Sequence, residues 1–331
     1  MTPQTGSVHL SPAEMARRFE RERRILVMAH ESPDGDAVGS VVAMMLVARR
    51  LGIGCRAFLP GHDPLPAEYA FLQLQGEIHR GSFPSVDGST VYVLDCATPE
   101  RVAPGLLAYP GVKVNIDHHN DNAGWGAYNL IDREASSTTE VLYKMFTAGG
   151  FPLDVDVATA LYAGLVTDTG RFQYANTTPA GHRMAAVLQE AGVDVNAVYR
   201  AVYSSYPVGK LRLLGRALDR LTLLLDGRLA VSWLDLHDMA RAQAEDSYAE
   251  GIIDSLRTVE GVLVAALLRE RRSEGGIEIK VSLRSTDGAV DVSSIAHVWD
   301  GGGHVQAAGF TSREVREAVI RGIERETLSR L

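Results

Sequence analysis

His30, Asp34 and Asp36 lie within seven residues of one another, in HESPDGDAVGS, directly after the apolar run RILVMA. Imidazole and carboxylate groups this close together, in a glycine-containing turn, cap the next helix, hold a metal ion, or do both. The pattern recurs. TVYVLD ends in Asp95, VKVNID ends in Asp117 with His118 and His119 behind it, and VATALYAGLVTDTG carries Asp168 near its end. In an open parallel sheet, ligands collect at the carboxyl ends of the strands, so these groups should face one crevice. Gathered carboxylates raise each other's pKa unless cations sit among them. Carboxylate and imidazole without thiolate favour Mn²⁺ or Mg²⁺ over structural zinc. The set is large enough for two ions about 3.5–4 Å apart, an arrangement that hydrolyses phosphate esters. His30, Asp34 and Asp36 therefore read as metal ligands, and Asp36 also as a cap of the helix behind it.

The elements that must position these groups alternate. RILVMA, GCRAFLP, TVYVLDCA and VKVNID read as strands, and DAVGSVVAMMLVARRLG as a helix ended by Gly52. SPAEMARRFERER opens with a capping box, Ser11 to Glu14, and Pro12 in its first turn. TTEVLYKMFTAGG, VATALYAGLVTDTG and PAGHRMAAVLQEAG continue as helices. NAVYRAVYSSYP and VGKLRLLGRALDRL read as helices leading away from this domain. Beyond residue 222 the pattern changes. LTLLLDGRLAVSWL is a hairpin around Asp226-Gly227, GVLVAALLRE and IEIKVSLRS are strands, and REVREAVIRGIERETL is a closing amphipathic helix.

The expected fold class is α/β, with a doubly wound, mainly parallel sheet domain at the N-terminal end and a smaller mixed α/β domain at the C-terminal end. The expected boundaries are 1–192 for the first domain, 193–221 for a helical linker and 222–331 for the second, with the active site in the cleft between domains.

Composition narrows the function. The 331 residues, 46% hydrophobic and 22% charged, suit a soluble globular chain, and the net charge of −8 argues against wholesale binding to nucleic acid or anionic membrane. No run reaches the roughly 18 apolar residues of a membrane span, and no signal-peptide core is apparent. With two cysteines only, Cys55 and Cys96, no disulfide framework is expected, and the chain reads as cytoplasmic. Cys96 reads as a small buried hydrophobe.

HESPDGDAVGS, VLDCA, DHH at 117–119 and VTDTGRF at 166–172 resemble, in order, the motifs of the DHH phosphoesterase superfamily. GGGHVQAAG at 301–309 resembles the glycine-rich signature of the associated C-terminal domain. Length and motif order look most like the NrnA-type branch, nano-RNases and phosphatases of 3′-phosphoadenosine 5′-phosphate. The resemblance implies a hydrolase with exonuclease action on short single-stranded RNA and small nucleotides, using two Mn²⁺, with Mg²⁺ or Co²⁺ as alternatives. It implies that His30 and Asp34 hold one ion, that Asp36, His118 and Asp168 hold the other, and that Asp95 bridges them. It places His119 beside the scissile phosphate, to stabilise it or to protonate the leaving oxygen. Asp117 reads as a group that orients the motif's backbone or a histidine.

For substrate binding the resemblance and side-chain chemistry point to the second domain. Gly301, Gly302 and Gly303 expose backbone N–H groups that can approach a phosphate, and Arg284 and His304 are candidates to grip one. In ASSTTEVL, residues 135–142, the hydroxyls read first as helix caps, although a helix start can also bind phosphate. Arg171 is placed either to face phosphate or to pair with a ligand carboxylate. The competing functions are a cyclic or linear dinucleotide phosphodiesterase and a non-catalytic nucleotide-binding regulator. The GGGH signature disfavours a manganese-dependent pyrophosphatase, and the lack of an extra nucleic-acid-binding domain disfavours a long-strand exonuclease. A homodimer is compatible with the sequence and is not derivable from it.

Overall fold

The computed structural model describes residues 7–331 apart from 32, 63, 87, 205, 206, 250, 274 and 287. The chain forms two compact units, Met1–Ser205 and Tyr206–Leu331.

The first unit begins with β1 (Val8–His9), α1 (Pro12–Phe19), β2 (Arg24–Met28), α2 (Gly35–Arg50), β3 (Gly54–Pro60), β4 (Ile78–Gly81) and β5 (Thr90–Leu94). It continues with α3 (Pro104–Ala108), β6 (Lys113–Asp117), β7 (Tyr128–Ile131), α4 (Thr138–Gly149), α5 (Val155–Asp168), α6 (Pro179–Glu190) and α7 (Val195–Tyr203). The seven strands are parallel, in the order β1-β7-β6-β5-β2-β3-β4. From β2 the chain winds outward to β3 and β4, then returns to lay β5 on the other side of β2. Strand order reverses between β2 and β5, and ligands collect at such a switch point.

Continuous apolar runs suit strands buried on both faces. Ile25, Val27, Tyr92 and Leu94 point into a core shared with α1, α2, α4, α5, α6 and α7. Leu26, Met28, Val91 and Val93 point the other way, onto α3 and the side chains of Phe83, Tyr109 and Trp125. The expected capping box, Ser11 with Glu14, starts α1. Helix α2 is buried along nearly its whole length and lies against α5. A β-carbon at Gly39 would meet the Ala160 carbonyl at 2.6 Å, and one at Gly164 would meet the Asp36 carboxylate at 2.8 Å. The glycines let the two backbones touch, which carries Asp36 at the start of α2 to the last turn of α5, where Asp168 sits. Strands β1, β4 and β7 were not expected from sequence.

The second unit begins with α8 (Val208–Asp219), β8 (Thr222–Leu224), β9 (Leu229–Leu234), α9 (Leu236–Ala242), α10 (Ile252–Arg257) and β10 (Val264–Ser273). It ends with β11 (Gly276–Ser285), α11 (Val292–Ala296), β12 (Gly302–His304), β13 (Ala307–Ser312) and α12 (Arg316–Leu328). Its sheet has the order β12-β13-β11-β10-β9-β8 and is antiparallel except for the β9–β10 pair. The hairpin expected at Asp226-Gly227 joins β8 to β9. One face packs Val231, Leu268, Leu283 and Phe310 under α11 and α12, and the other packs Ala230, Ala265 and Leu267 under α8, α9 and α10. The stretch read as a linker divides between the cores: Val198 and Val202 of α7 join the first unit, and Leu213 and Ala217 of α8 join the second. No helix among the described residues is long and apolar enough to cross a membrane.

Candidate metal centre

Strands β6, β5 and β2 are neighbours, and their carboxyl ends deliver Asp117-His118-His119, Asp95 and His30 to one place. Asp95 leaves β5 with a φ of 54°, in the left-handed region, and is 2% exposed. Backbone held in such a conformation concentrates at functional sites. The turn sends its carboxylate across the strand ends. Asp95 Oδ2 is 3.4 Å from His30 Nε2, and Oδ1 is 3.8 Å from His118 Nε2 and 3.6 Å from His119 Nδ1. His118 Nε2 also lies 3.5 Å from Asp168 Oδ2. Donor atoms of His30, Asp34 and Asp95 lie within 4.8 Å of one another, as do those of Asp36, His118 and Asp168. A third, overlapping group joins Asp95 to Asp117, His118 and His119.

Neighbouring carbonyls orient two of the rings. His30 Nδ1 faces the Glu31 carbonyl at 2.5 Å and His118 Nδ1 faces the Ala135 carbonyl at 3.3 Å. A carbonyl only accepts, so each Nδ1 carries a proton and each Nε2 faces the carboxylates, the nitrogen that metal-bound histidine turns to its ion. The helix cap falls on a different residue from the one expected. Asp34, not Asp36, caps α2, accepting from the Asp36 and Ala37 N–H groups at 3.1 and 3.0 Å. Asp36 lies two residues past the cap, inside the first turn, and cannot cap its own helix. Its two oxygens instead accept the Thr138 and Thr139 N–H groups of α4 at 2.6 and 3.0 Å. The start of α4 therefore does bind an anion, and that anion is a side chain of the same chain.

Electrostatics argue for cations here. Burial lifts the Asp36 carboxyl well above the usual range, and the charges of Asp95 and Asp168 add to the effect. Asp168 rises to about 8, through burial first and then the charges of Asp95 and Asp34. For Asp95 burial acts upward too, but the His30 hydrogen bond and the charges of His119, His30 and His118 bring it down to about 2. Carboxylates that resist ionising together, facing the inward Nε2 atoms of His30 and His118, form a donor set that divalent cations fit. The cluster can hold metal ions.

Asp117 is fully buried and orients the DHH run. Its Oδ1 accepts from the His118 N–H at 2.8 Å and from His119 Nδ1 at 2.7 Å, and its Oδ2 from Asn122 at 2.5 Å. Asn122 and Asn176 contribute to the site and were not singled out from sequence, whereas Thr138 belongs to the ASSTTEVL helix start. Asparagine is too common in turns for its type alone to mark it. Arg171 pairs with no ligand carboxylate among the described residues, and its guanidinium lies over the Tyr203 ring, 5.1 Å from the centroid. Cys96 is buried, donates to the Thr98 carbonyl at 3.0 Å, and burial pushes its thiol up to about 12.

In the second unit, Arg284 of β11 pairs in register with Ala307 of β13, and Ala307 pairs with His304 of β12. Register partners point to the same face, so Arg284 and His304 share one row, about 10 Å apart. The nearest charge to Arg284 is Asp254, 3.7 Å from its Nε. The glycines form an edge strand rather than a loop. Side chains on Gly301 and Gly303 would collide with the backbone of β13, whereas the space beside Gly302 is open apart from the His297 ring at 3.8 Å.

Residues 24–165 match the family described as DHH family, N-terminal domain, and residues 226–326 match the DHHA1 domain. The bifunctional oligoribonuclease and PAP phosphatase NrnA of Thermus thermophilus is 33% identical over 313 residues, 93% of this chain and 91% of its own. The chain belongs to the DHH family of phosphoesterases. The Bacillus subtilis protein of the same description is 26% identical over 299 residues, 89% of this chain and 91% of its own. An exopolyphosphatase-related protein from Bacteroides fragilis has the same fold, with a TM-score of 0.85 at 24% identity over 96% of this chain and 95% of that one. In this DHH-family chain the first matched segment holds His30, Asp34, Asp36, Asp95 and the histidine pair, and Asp168 lies just beyond it.

Proposed function

We propose that this DHH-family chain is a Mn²⁺-dependent phosphoesterase that hydrolyses very short oligoribonucleotides to mononucleotides and also dephosphorylates 3′-phosphoadenosine 5′-phosphate. One observation carries the chemistry: two ligand clusters stand side by side, with Asp95 belonging to the first and lying 3.8 Å from His118 of the second. The substrate class is supported by the description of the NrnA relatives, which align over nearly the whole chain.

In this reading His30, Asp34 and Asp95 would hold one cation, and Asp36, His118 and Asp168, with Asp95 beside them, would hold the other. The cations supply charge neutralisation at the phosphate and a water of lowered pKa. The chain does the rest. Carbonyls of Glu31 and Ala135 keep the His30 and His118 rings turned inward. Asp117 fixes His119 by its Nδ1, which leaves Nε2 to donate to a phosphate oxygen or to give its proton to the leaving oxygen. Arg284 and His304 grip a substrate phosphate, with the β12 backbone beside them at Gly302.

The test is product release with added Mn²⁺ from RNA of two to twenty-four nucleotides, 3′-phosphoadenosine 5′-phosphate, cyclic di-AMP and pyrophosphate, beside Asp95→Ala. Mononucleotides from the shortest RNAs, lost in the variant, are expected. Cleavage confined to the cyclic dinucleotide or to pyrophosphate would keep the centre and overturn the substrate class. Nucleotide binding with no turnover would turn the chain into a regulator.

A further inference from the structure

His30 and Asp34 are anchored by a different part of the chain from Asp36, His118 and Asp168. His30 and Asp34 are set by their own turn, through the Glu31 carbonyl at 2.5 Å and the Asp36 and Ala37 N–H groups at 3.1 and 3.0 Å. Every member of the other cluster is tied to a segment of five residues, 135–139, that leads into α4. The Ala135 carbonyl takes His118 Nδ1 at 3.3 Å. The Thr138 and Thr139 N–H groups take both oxygens of Asp36, at 2.6 and 3.0 Å. Asn176, in the turn before α6, donates its amide to Asp168 Oδ2 at 3.1 Å and to the Ser136 carbonyl at 3.0 Å. One amide thereby fastens Asp168 to the segment that holds the other two. Its orientation is unambiguous, because the oxygens around that nitrogen, the Asp168 carbonyl at 3.1 Å included, accept only.

The segment is itself immobilised. The Ser136 N–H donates to Glu140 Oε2 at 2.8 Å, and Ser137 Oγ accepts the Glu140 N–H at 3.1 Å. Ser136 Oγ lies 3.1 Å from Thr178 Oγ1, next to the Asn176 turn. Ser136, Ser137, Thr138 and Thr139 are all completely buried.

We infer that Asn176 is a positioning residue for one cation site alone, that of Asp36, His118 and Asp168. The segment 135–139 behind it also reaches the shared Asp95, through Thr138 Oγ1 to Asp95 Oδ1 at 3.0 Å, whereas His30 and Asp34 are held without Asn176. This rests on reading the clusters as metal sites. Groups that orient a ligand from behind typically account for roughly 10- to 100-fold in metal affinity. Asn176 touches neither His30 nor Asp34, so its loss should divide the two sites.

The experiment is a calorimetric Mn²⁺ titration of the metal-stripped full chain and of Asn176→Ala, followed by electron paramagnetic resonance at two equivalents. Wild type should bind two ions and show the broad signal of a coupled pair. Asn176→Ala should keep one ion at wild-type affinity and bind the other roughly 10- to 100-fold more weakly, with the resolved hyperfine lines of isolated Mn²⁺ appearing. Equal weakening of both sites, or of neither, would overturn the inference and leave the proposed function standing. A wild type that takes up no pair of ions would overturn both. If Asn176→Ala does not fold, Asn176→Ser, which keeps a hydroxyl donor, should show the same division at smaller amplitude.

Discussion

Asp117 accepts the Nδ1–H of His119 at 2.7 Å, while its other oxygen is held by the Asn122 amide at 2.5 Å. Asn122 is caught in turn by Asn115 Oδ1 at 2.8 Å. The carboxylate cannot turn, so His119 has one ring nitrogen left for substrate. Burial acts to lower the His119 pKa, but the hydrogen bond and charge of Asp117 outweigh it and raise the group to about 9. A carboxylate orienting an imidazole in this way keeps it in one tautomer.

His119→Ala should lower kcat on a diribonucleotide by roughly 10²- to 10⁴-fold, the usual range for a lost general acid. A nitrophenyl phosphate ester, whose leaving group needs no proton, should lose far less. Equal losses on the two substrates would assign His119 to phosphate binding. Asp117→Asn should act in the same direction with a smaller effect, because the ring keeps a neighbour of the same shape.

Stability and metal binding should run oppositely with pH. Asp168 at about 8, against an ordinary 3.8, means that the folded metal-free chain keeps a proton that the unfolded chain has released, so rising pH across that window destabilises it. His119 at about 9, against 6.5, contributes stability below pH 6.5 that is lost as pH rises through about 9. Cations compete with those same protons and bind better as pH rises. The gap in Tm between Mn²⁺-loaded and chelator-treated protein should widen from pH 6 to pH 8. Each tenfold gain in affinity adds about 1.4 kcal/mol, roughly 2–4 °C. Differential scanning fluorimetry across the range would refute this with a constant gap.

Gly39→Ala places a methyl group 2.6 Å from the Ala160 carbonyl, at the contact of α2 with α5. Overpacking of this kind typically costs about 1–3 kcal/mol. The helices must part, so Asp36 should drift from Asp168, and Mn²⁺ affinity should fall together with Tm. An unchanged urea midpoint would show that the contact is not tight.

Arg284→Ala and His304→Ala should raise KM for a diribonucleotide by roughly 10- to 100-fold, the size of a lost charge-assisted hydrogen bond, with kcat nearly kept. Neither should affect nitrophenyl phosphate, which has no second phosphate to grip. A matching loss on that small ester would place both residues in the folding of the β11–β13–β12 row instead.

Much of the fold was legible because burial on both faces writes an unbroken apolar run. RILVM and KVNID appear as strands within a residue of their expected limits, and TVYVL starts where TVYVLDCA was expected to start and stops three residues sooner. Strand β7 was not legible. It is four residues long and holds a buried Asn129, whose amide donates to the Gly126 carbonyl at 2.8 Å, so it shows no apolar period. GGH carries no strand signal, since glycine disfavours strands. Yet Gly301 and Gly303 lie against β13 so closely that only glycine fits.

By itself the sequence determined which groups come together. Ligand-type side chains stand just past strands and helices whose periodicity is unmistakable, and parallel strands carry the residues at their carboxyl ends to one edge. Tertiary structure alone decided what holds those groups. The cap of α2 is Asp34 rather than Asp36, because a capping side chain must reach N–H groups two and three residues ahead of it. Asp36 is held by Thr138 and Thr139, and Asp168 by Asn176. The bonds of Asp36, to residues a hundred positions away, leave no period, composition or spacing in the chain, and they exist only once α2, α4 and α5 have packed.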